Sequence, residues 1–311
     1  MKIAITGGSG YVGSCLIKKL EKETWVKSIL SLDVKLPTME LHKKTSHVIH
    51  DVTSPFDDLL LKFKPDVLIH LSFVLQPSRN TTQTEKVNLL GTLNALHATE
   101  IAKANQLIYF SSTTIYGAHP DNPRWLNENS LIRPTNRFQY AVDKAKSELL
   151  IEEFASNNPS TKILILRGCP VMGPNANNFI SRAFQKPLLV GMKNHNPPMQ
   201  FIHEDDVVNL IKTSILNQFS GTYNIAGDGT ITWSKMAASI RVKMISLPSF
   251  LLSSITEIAW QAGLQSESNS AGLNFIKYRW TASTQKIKET LNYQFKHSTE
   301  SAWQTFCDKK T

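Results

Sequence analysis

The stretch Thr6-Gly7-Gly8-Ser9-Gly10-Tyr11-Val12-Gly13 constrains this chain more than any other. It follows Lys2-Ile3-Ala4-Ile5, a short apolar run that reads as a buried strand. It opens onto Cys15 to Lys22, where apolar positions recur with helical spacing. Strand, glycine turn and helix, in that order, form the context in which such a turn holds a dinucleotide. Gly7, Gly10 and Gly13 divide the work. One makes the tight turn, one lets backbone N–H groups approach a pyrophosphate, and one lets helix and strand pack closely. The helix N-terminus adds unpaired donors and a partial positive charge. A second feature supports this reading of the Gly-x-x-Gly-x-x-Gly spacing. Ser28 to Asp33 reads as a strand ending in an acid about twenty residues past the last glycine. A carboxylate there holds both hydroxyls of an adenosine ribose and repels a 2′-phosphate, so it favours NAD over NADP.

The same rhythm continues. Ser46 to His50 reads as a third strand, followed by Asp51-Val52. In such a fold this position lies beside the adenine, whose 6-amino group a carboxylate can accept. A short helix over Pro55 to Lys64 is expected to open with Ser54 as cap and Pro55 in its first turn. Asp66 to Leu71 is apolar enough for a strand covered on both faces. It leads into Ser72-Phe73 at the carboxyl end of the sheet, where ligands bind. Thr84 to Asn105 reads as a long helix that buries Val87, Leu90, Leu93, Leu96 and Ile101. Gln106 to Ser112 is a fifth strand ending in the hydroxyls of Ser111 and Ser112. Gln139 to Ser156 is a second long helix, and Lys162 to Arg167 a sixth strand. This alternation implies an α/β fold, a doubly wound parallel sheet with helices on both faces. After Arg167 the rhythm breaks at the turn-rich stretch 173–178. Residues 1–168, with 199–226 returning, are expected to form the dinucleotide-binding domain. Residues 169–198 and 227–311 are expected to form a smaller, mostly helical C-terminal substrate lobe.

Tyr140 and Lys144 stand four residues apart on the second long helix, hence on one face. A tyrosine hydroxyl normally titrates near ~10. A neighbouring ammonium is expected to lower that value and make the phenol usable as acid or base near neutral pH. Ser111 and Ser112 bring hydroxyls to the same edge of the sheet.

Composition narrows the classes. The chain has 311 residues, 41% hydrophobic and 19% charged, which is ordinary for a soluble globular protein. No apolar run reaches the roughly eighteen residues of a spanning helix, so no integral membrane segment is expected. The first apolar run breaks at Gly7, too early for a secretory signal, and the expected location is cytoplasmic. Cys15, Cys169 and Cys307 are scattered and odd in number, which fits a reducing compartment. The histidines show no ligand spacing with them, so no metal is expected. The net charge of +9 lies largely in helix-spaced lysines such as Lys18, Lys19 and Lys22 and reads as a solvated face. No nucleic-acid motif accompanies it, so no nucleic-acid partner is expected.

As a set, these motifs resemble the extended short-chain dehydrogenases/reductases of the NAD-dependent epimerase/dehydratase type, as in UDP-glucose 4-epimerases. The resemblance rests on residues 6–13, Asp33, Asp51-Val52, His70-Leu71-Ser72-Phe73, Asn88-Leu89-Leu90-Gly91-Thr92, Phe110 to Gly117, Tyr140 with Lys144, Leu166 to Pro174, and Phe201 to Val207. It implies a Rossmann sheet and NAD as cofactor. It implies Tyr140 as acid/base on a substrate hydroxyl and Lys144 on the nicotinamide ribose. Ser112, with Thr113 as the alternative, would bond the substrate oxygen. Tyr11 and Val12 would meet the pyrophosphate, and Pro170 and Val171 the nicotinamide. Leu71, Ser72, Phe73, Asn88 and Ser111 would belong to the cofactor site. Tyr116 and His203 read as packing and structural residues. The family also implies a homodimer through the two long helices.

Two departures bear on the substrate, a nucleotide sugar or another secondary alcohol. Met199 stands where sugar-nucleotide epimerases place an arginine on the diphosphate. Asn177 and Asn178 do resemble the asparagines that meet that diphosphate. The apolar stretch Leu247 to Trp260 reads as a lobe-core helix, a pocket for a lipophilic alcohol, or a membrane-surface contact. The leading expectation is a sugar epimerase. A dehydrogenase of a lipophilic alcohol and a non-catalytic NAD-sensing regulator are the alternatives.

Overall fold

The computed structural model describes residues 1–37 and 43–309; residues 38–42 of the polar loop after Asp33, and 310–311, lie outside it. The first half alternates as β1 (Lys2–Thr6), α1 (Tyr11–Leu20), β2 (Ser28–Asp33), β3 (Thr45–Ile49), α2 (Asp57–Phe63), β4 (Val67–His70), α3 (Thr81–Ile101), β5 (Gln106–Ser112), α4 (Gln139–Asn157) and β6 (Lys162–Gly168). The second half runs β7 (Val171–Met172), α5 (Phe179–Ala183), β8 (Leu188–Met192), β9 (Pro198–Met199), β10 (Ile202–His203), α6 (Glu204–Asn217), β11 (Gly221–Ile225), β12 (Ile231–Thr232), α7 (Trp233–Ser239), β13 (Lys243–Leu247), α8 (Ser249–Gln261), α9 (Gln285–Leu291) and α10 (Thr299–Asp308).

Seven strands form one parallel sheet in the order β11-β6-β5-β4-β1-β2-β3. The order reverses at β1, which lies between β2 and β4. A crevice at the carboxyl ends of the strands opens at such a reversal. Both faces are covered. Leu16, Ile17 and Leu20 of α1 and Val207, Leu210 and Ile211 of α6 pack on one side. Leu60 of α2, Ala95 and Leu96 of α3 and Ile151 of α4 pack on the other. Each such side chain contributes about 1.5–3 kcal/mol on burial, so strands aliphatic on both faces can sit only at the centre. A third cluster, with Phe184, Met199, Phe201, Trp233, Trp280 and Trp303, fills the region beyond β6. Ile287 of α9 returns to the sheet's own core.

Two local expectations need correction. The short helix begins at Asp57 rather than Pro55, with Phe56 at its cap position and no side-chain cap. Ser54 instead gives its backbone N–H to the Asp51 carbonyl. In α3 the buried face is Thr84, Asn88, Gly91, Thr92, Ala95, Leu96, Ala98 and Thr99, whereas Leu93 and Ile101 are 44% and 40% exposed. Small residues face inward because the helix packs close: a Cβ on Gly91 would lie 2.7 Å from Val52 Cγ2. The threonines satisfy their hydroxyls on carbonyls one turn back, Thr92 on Asn88 and Thr99 on Ala95. Beyond residue 170, three two-stranded sheets join the helices: β7–β10, β8–β13 and β9–β12. Strands of two to five residues, paired across tens of positions, leave little periodic trace.

Candidate active site

The glycine turn is shaped by what a larger residue would strike. Gly7 has φ +75°, and a Cβ there would lie 2.6 Å from the Ser72 nitrogen on the loop after β4. A Cβ on Gly13 would lie 2.3 Å from the Gly7 carbonyl oxygen. Gly10 takes the cap position of α1 without a side-chain cap. The N–H groups of Tyr11, Val12 and Gly13 consequently have no acceptor among the described residues, and the chain first bonds again at Ser14 N to Gly10 O, 2.9 Å. That uncapped, dipole-bearing turn is a fitting cradle for a pyrophosphate. Asp33 ends the neighbouring strand and accepts from Ser9 N at 3.0 Å, which ties the acid to the turn. Asp51 is exposed and uses one carboxylate oxygen on Thr53 N, 2.9 Å. Val52 is buried beneath Gly91.

Leu71 and Ser72 cross the glycine turn, with Leu71 N on Thr6 O at 3.0 Å and Ser72 N on Thr6 Oγ1 at 3.4 Å. Asn88 is buried and holds the next part of that loop, accepting from Val74 N at 2.8 Å and donating to Asp143 at 2.8 Å. Its side chain shapes the loop rather than facing the crevice with a free group. Burial raises the Asp143 carboxyl, opposed by the amides of Asn88 and Gln139.

Ser112, Tyr140 and Lys144 come together at the carboxyl edge of β5. Ser112 Oγ accepts from Thr114 N at 3.2 Å and from Thr114 Oγ1 at 2.9 Å, and its hydroxyl acts on the Tyr140 phenol to lower its pKa. Lys144 is 4% exposed. Its Nζ donates to Phe110 O at 2.6 Å and lies 3.7 Å from the Phe73 ring centroid and 4.5 Å from that of Tyr109. Burial lowers the ammonium to about 7, opposed by Glu148. The expected lowering of Tyr140 is reversed: burial pushes the phenol up to about 12, and the Ser112 hydroxyl only partly offsets it. The ammonium that was to sharpen the phenol is itself committed to a carbonyl and two aromatic faces.

Other predicted residues are placed elsewhere. Ser111 is buried and spends its hydroxyl on Glu148, which is also paired with Arg167 (Nη2 to Oε2, 2.7 Å). Thr113 is buried and donates to Gly168 O at 3.5 Å. Asn178 caps α5, accepting from Ile180 N and Ser181 N and donating to Val171 O. Asn177 is exposed. Pro170 and Val171 follow β6, with Pro170 O bonded by Ile202 N at 3.1 Å. Tyr116 is buried against Arg167 and Asn224. His203 caps α6 by accepting from Asp205 N. His203, Asp205 and His297 bring ligand-type atoms within 4.8 Å. His203 Nδ1 holds the cap bond, Asp205 pairs with Lys19 at 3.1 Å and the two imidazoles stack 3.8 Å apart, while His203 Nε2 is buried without a partner among the described residues. We assign no metal to them.

Of the three readings of Leu247 to Trp260, the pocket one meets a cavity at Trp260, while the arginines of its wall carry no signal in the sequence. About 590 Å³ of space opens beside Tyr140, lined among others by Leu75, Arg79, Arg137, Gln139 and Trp260. Of α8 only Leu252 and Trp260 are buried, while Phe250 and Ile258 are 74% and 67% exposed.

The sequence profile described as the NAD dependent epimerase/dehydratase family matches residues 3–226. An uncharacterized protein of Mycobacterium tuberculosis is 20% identical over 311 residues, 98% of this chain and 82% of the mycobacterial one. A UDP-glucuronic acid decarboxylase of Arabidopsis thaliana is 26% identical over 262 residues, 78% of this chain and 74% of the plant protein. Among solved structures, the UDP-glucose 4-epimerase of Thermotoga maritima with UDP-glucose superimposes with a TM-score of 0.76 at 18% identity, covering 100% of this chain and 98% of that one. The UDP-glucuronic acid 4-epimerase of Bacillus cereus in complex with NAD gives 0.75 at 20% identity, covering 99% and 98%.

Proposed function

The chain belongs to the NAD dependent epimerase/dehydratase family, and on that premise we propose that it is a sugar-nucleotide epimerase or oxidoreductase with Ser112, Tyr140 and Lys144 as its catalytic residues. The cofactor is NAD. NAD, when bound, supplies the hydride acceptor and a positive charge at the nicotinamide. The N–H groups of Tyr11, Val12 and Gly13 would hold the pyrophosphate. Asp33 would hold the adenosine ribose and Asp51 the adenine amino group. Lys144 would hold the nicotinamide ribose, with Pro170 and Val171 beside the ring.

Ser112 donates to the substrate oxygen and fixes its position. Tyr140 Oη takes the hydroxyl proton and later returns it. A phenol held at about 12 is protonated at neutral pH, so Tyr140 must first give its own proton to solvent before its phenolate can accept the substrate's, a loss that the positive charge of a bound cofactor would favour. The observation that carries this reading is the meeting of Tyr140 and Lys144 at Phe73, whose ring packs edge-on against the phenol ring at 5.7 Å and takes the ammonium 3.7 Å from its centroid.

The proposal extends to a cytoplasmic homodimer. Leu93 and Ile101 of α3 and Leu149 of α4 are exposed on packed neighbours, which supports pairing through these helices. Among the described residues no helix is long and apolar enough to cross a membrane.

The test is turnover by the NAD-loaded protein on UDP-glucose, UDP-galactose and UDP-glucuronic acid, with products resolved by NMR. Conversion of any of them is expected. Net NADH accumulation with a lipophilic secondary alcohol, and no change in any sugar, would replace this reading with the dehydrogenase one. Turnover of either kind removes the regulator reading.

A further inference from the structure

The cavity beside Tyr140 has a charge pattern that the proposed chemistry does not use. Two arginines, Arg79 and Arg137, are among its lining residues, and no aspartate or glutamate is among the described ones. Arg137 is neutralised by an ion pair with Glu257 of α8. Arg79 is not. Its Nε donates to Trp260 O at 3.1 Å, and its guanidinium carbon lies 5.5 Å from the Trp260 ring centroid. Among the described residues, its terminal nitrogens have no acceptor. The arginine is thus held at one edge by a carbonyl, with an indole ring nearby, and as an exposed residue it keeps its charge open to the cavity.

The backbone adds to this field. The long helices α3 and α4 both begin on the cavity wall, which includes Thr81 and Thr84 of one and Gln139 and Tyr140 of the other. Asn80 caps α3 through Gln83 N at 3.0 Å. No side chain caps α4, and the N–H groups of Gln139 and Tyr140 have no acceptor among the described residues. Two positive helix ends and an unpaired guanidinium therefore meet in one space whose described lining includes no acid, Glu257 being spent on Arg137. The position expected to carry an arginine for a diphosphate instead holds Met199, 2% exposed in the lobe core.

We propose that this cavity is an anion subsite in which Arg79 reads a carboxylate or phosphate carried by the substrate alcohol. The inference rests on Tyr140 meeting the reacting hydroxyl, because that places the anion on the cavity side of the reacting carbon. A guanidinium tied at Nε to a carbonyl leaves its terminal nitrogens free in one plane, which suits a two-oxygen anion and does not suit a neutral hydroxymethyl group.

The test is calorimetric binding to the NAD-loaded protein, wild type against Arg79→Gln and Arg79→Lys. The probes are UDP-glucuronic acid, UDP-glucose, UDP and inorganic phosphate. The two sugars differ at one carbon only, which carries a neutral hydroxymethyl group in one and a carboxylate in the other. Wild type should bind at least one anionic probe about tenfold to a hundredfold tighter than Arg79→Gln does, with Arg79→Lys between them and NAD affinity unchanged. An Arg79 effect on UDP-glucuronic acid but not on UDP-glucose or UDP identifies a sugar carboxylate as the anion. An equal effect on UDP and both sugars identifies the diphosphate. Affinities that Arg79→Gln leaves unchanged for every anion, phosphate included, overturn the subsite. Failure of all sugar nucleotides to bind wild type counts against the sugar reading alone, because the phosphate arm still decides the subsite.

Discussion

At the glycine turn the groups proposed to hold a phosphate are backbone N–H donors, left without an acceptor among the described residues where three glycines keep side chains out of the way. In the cavity beside Tyr140 the corresponding groups belong to Arg79, Trp260 and the open end of α4, brought together from the loop after β4, from α8 and from α4. One site is local, made by consecutive residues whose spacing is the site. The other is assembled by the fold, and no spacing in the chain announces it. The difference teaches where a change should act. Around the turn, adding atoms is damaging and trimming a side chain matters little. In the cleft and cavity, trimming is damaging.

The largest expected effect tests the cleft. Tyr140→Phe removes one oxygen, keeps the ring packed edge-on against Phe73 (centroids 5.7 Å apart), and should lower kcat by about 10²–10⁴. NAD affinity, followed by calorimetry, should stay within a factor of two or so. A variant that turns over normally would remove Tyr140 from the chemistry and leave the glycine turn untouched, which breaks the comparison at its side-chain end.

Lys144 offers the next effect, read as stability against pH. Its folded value of about 7 lies below the ordinary ~10.4. Between these limits the unfolded chain holds a proton that the folded chain does not, so stability rises with pH. Below about 7 both states are protonated and the contribution stays at its lowest. The slope attributable to this residue approaches ~1.4 kcal/mol per pH unit within the window. Urea denaturation of the cofactor-free protein at pH 7 and pH 9.5 should show wild type gaining stability relative to Lys144→Met. Parallel behaviour of the two proteins would mean that water reaches the ammonium despite Phe73 and Tyr109.

The turn is tested by addition. Gly13→Ala puts a Cβ 2.3 Å from the Gly7 oxygen and 2.8 Å from Gly8 Cα, both backbone atoms with little room to yield. The expected cost is about 1–3 kcal/mol of stability, with NAD binding weakened because the free N–H groups move. Thermal melting and calorimetry check both. An alanine variant that binds NAD normally would show that the cradle tolerates bulk.

The same contrast explains how much could be read beforehand. The strand, the turn, α1 and Asp33 were legible because a parallel strand, a glycine spacing and an acid at a strand end are properties of neighbouring residues. Tyr140 and Lys144 were legible as a pair because a helix puts positions four apart on one face. The inward face of α3 was not, because Asn88, Thr92 and Thr99 are buried through hydrogen bonds and close packing rather than apolarity. The Tyr140 phenol was misjudged for a related reason. Its value depends on how deeply β5 and α4 bury it, and burial is a property of the assembled sheet. Ser111 and Asn178 look like site residues by position, yet each is consumed by a partner distant in space or by its own helix end.

The smallest expected effect lies at the rim of the turn, where a side chain and the backbone act together. Asp33 accepts from Ser9 N at 3.0 Å and from Lys35 N at 3.0 Å, so its carboxylate braces the turn at the place proposed for the ribose. Asp33→Ser keeps a short acceptor but removes the charge that repels a 2′-phosphate. The preference for NAD over NADP should fall by about tenfold, or ~1.4 kcal/mol, through better NADP binding as much as weaker NAD binding. Competitive calorimetry with the two cofactors measures the ratio directly. If the ratio holds while both affinities drop together, Asp33 serves the turn as a brace alone. The cofactor site would then be wholly a backbone site, which would sharpen its contrast with the arginine-lined cavity.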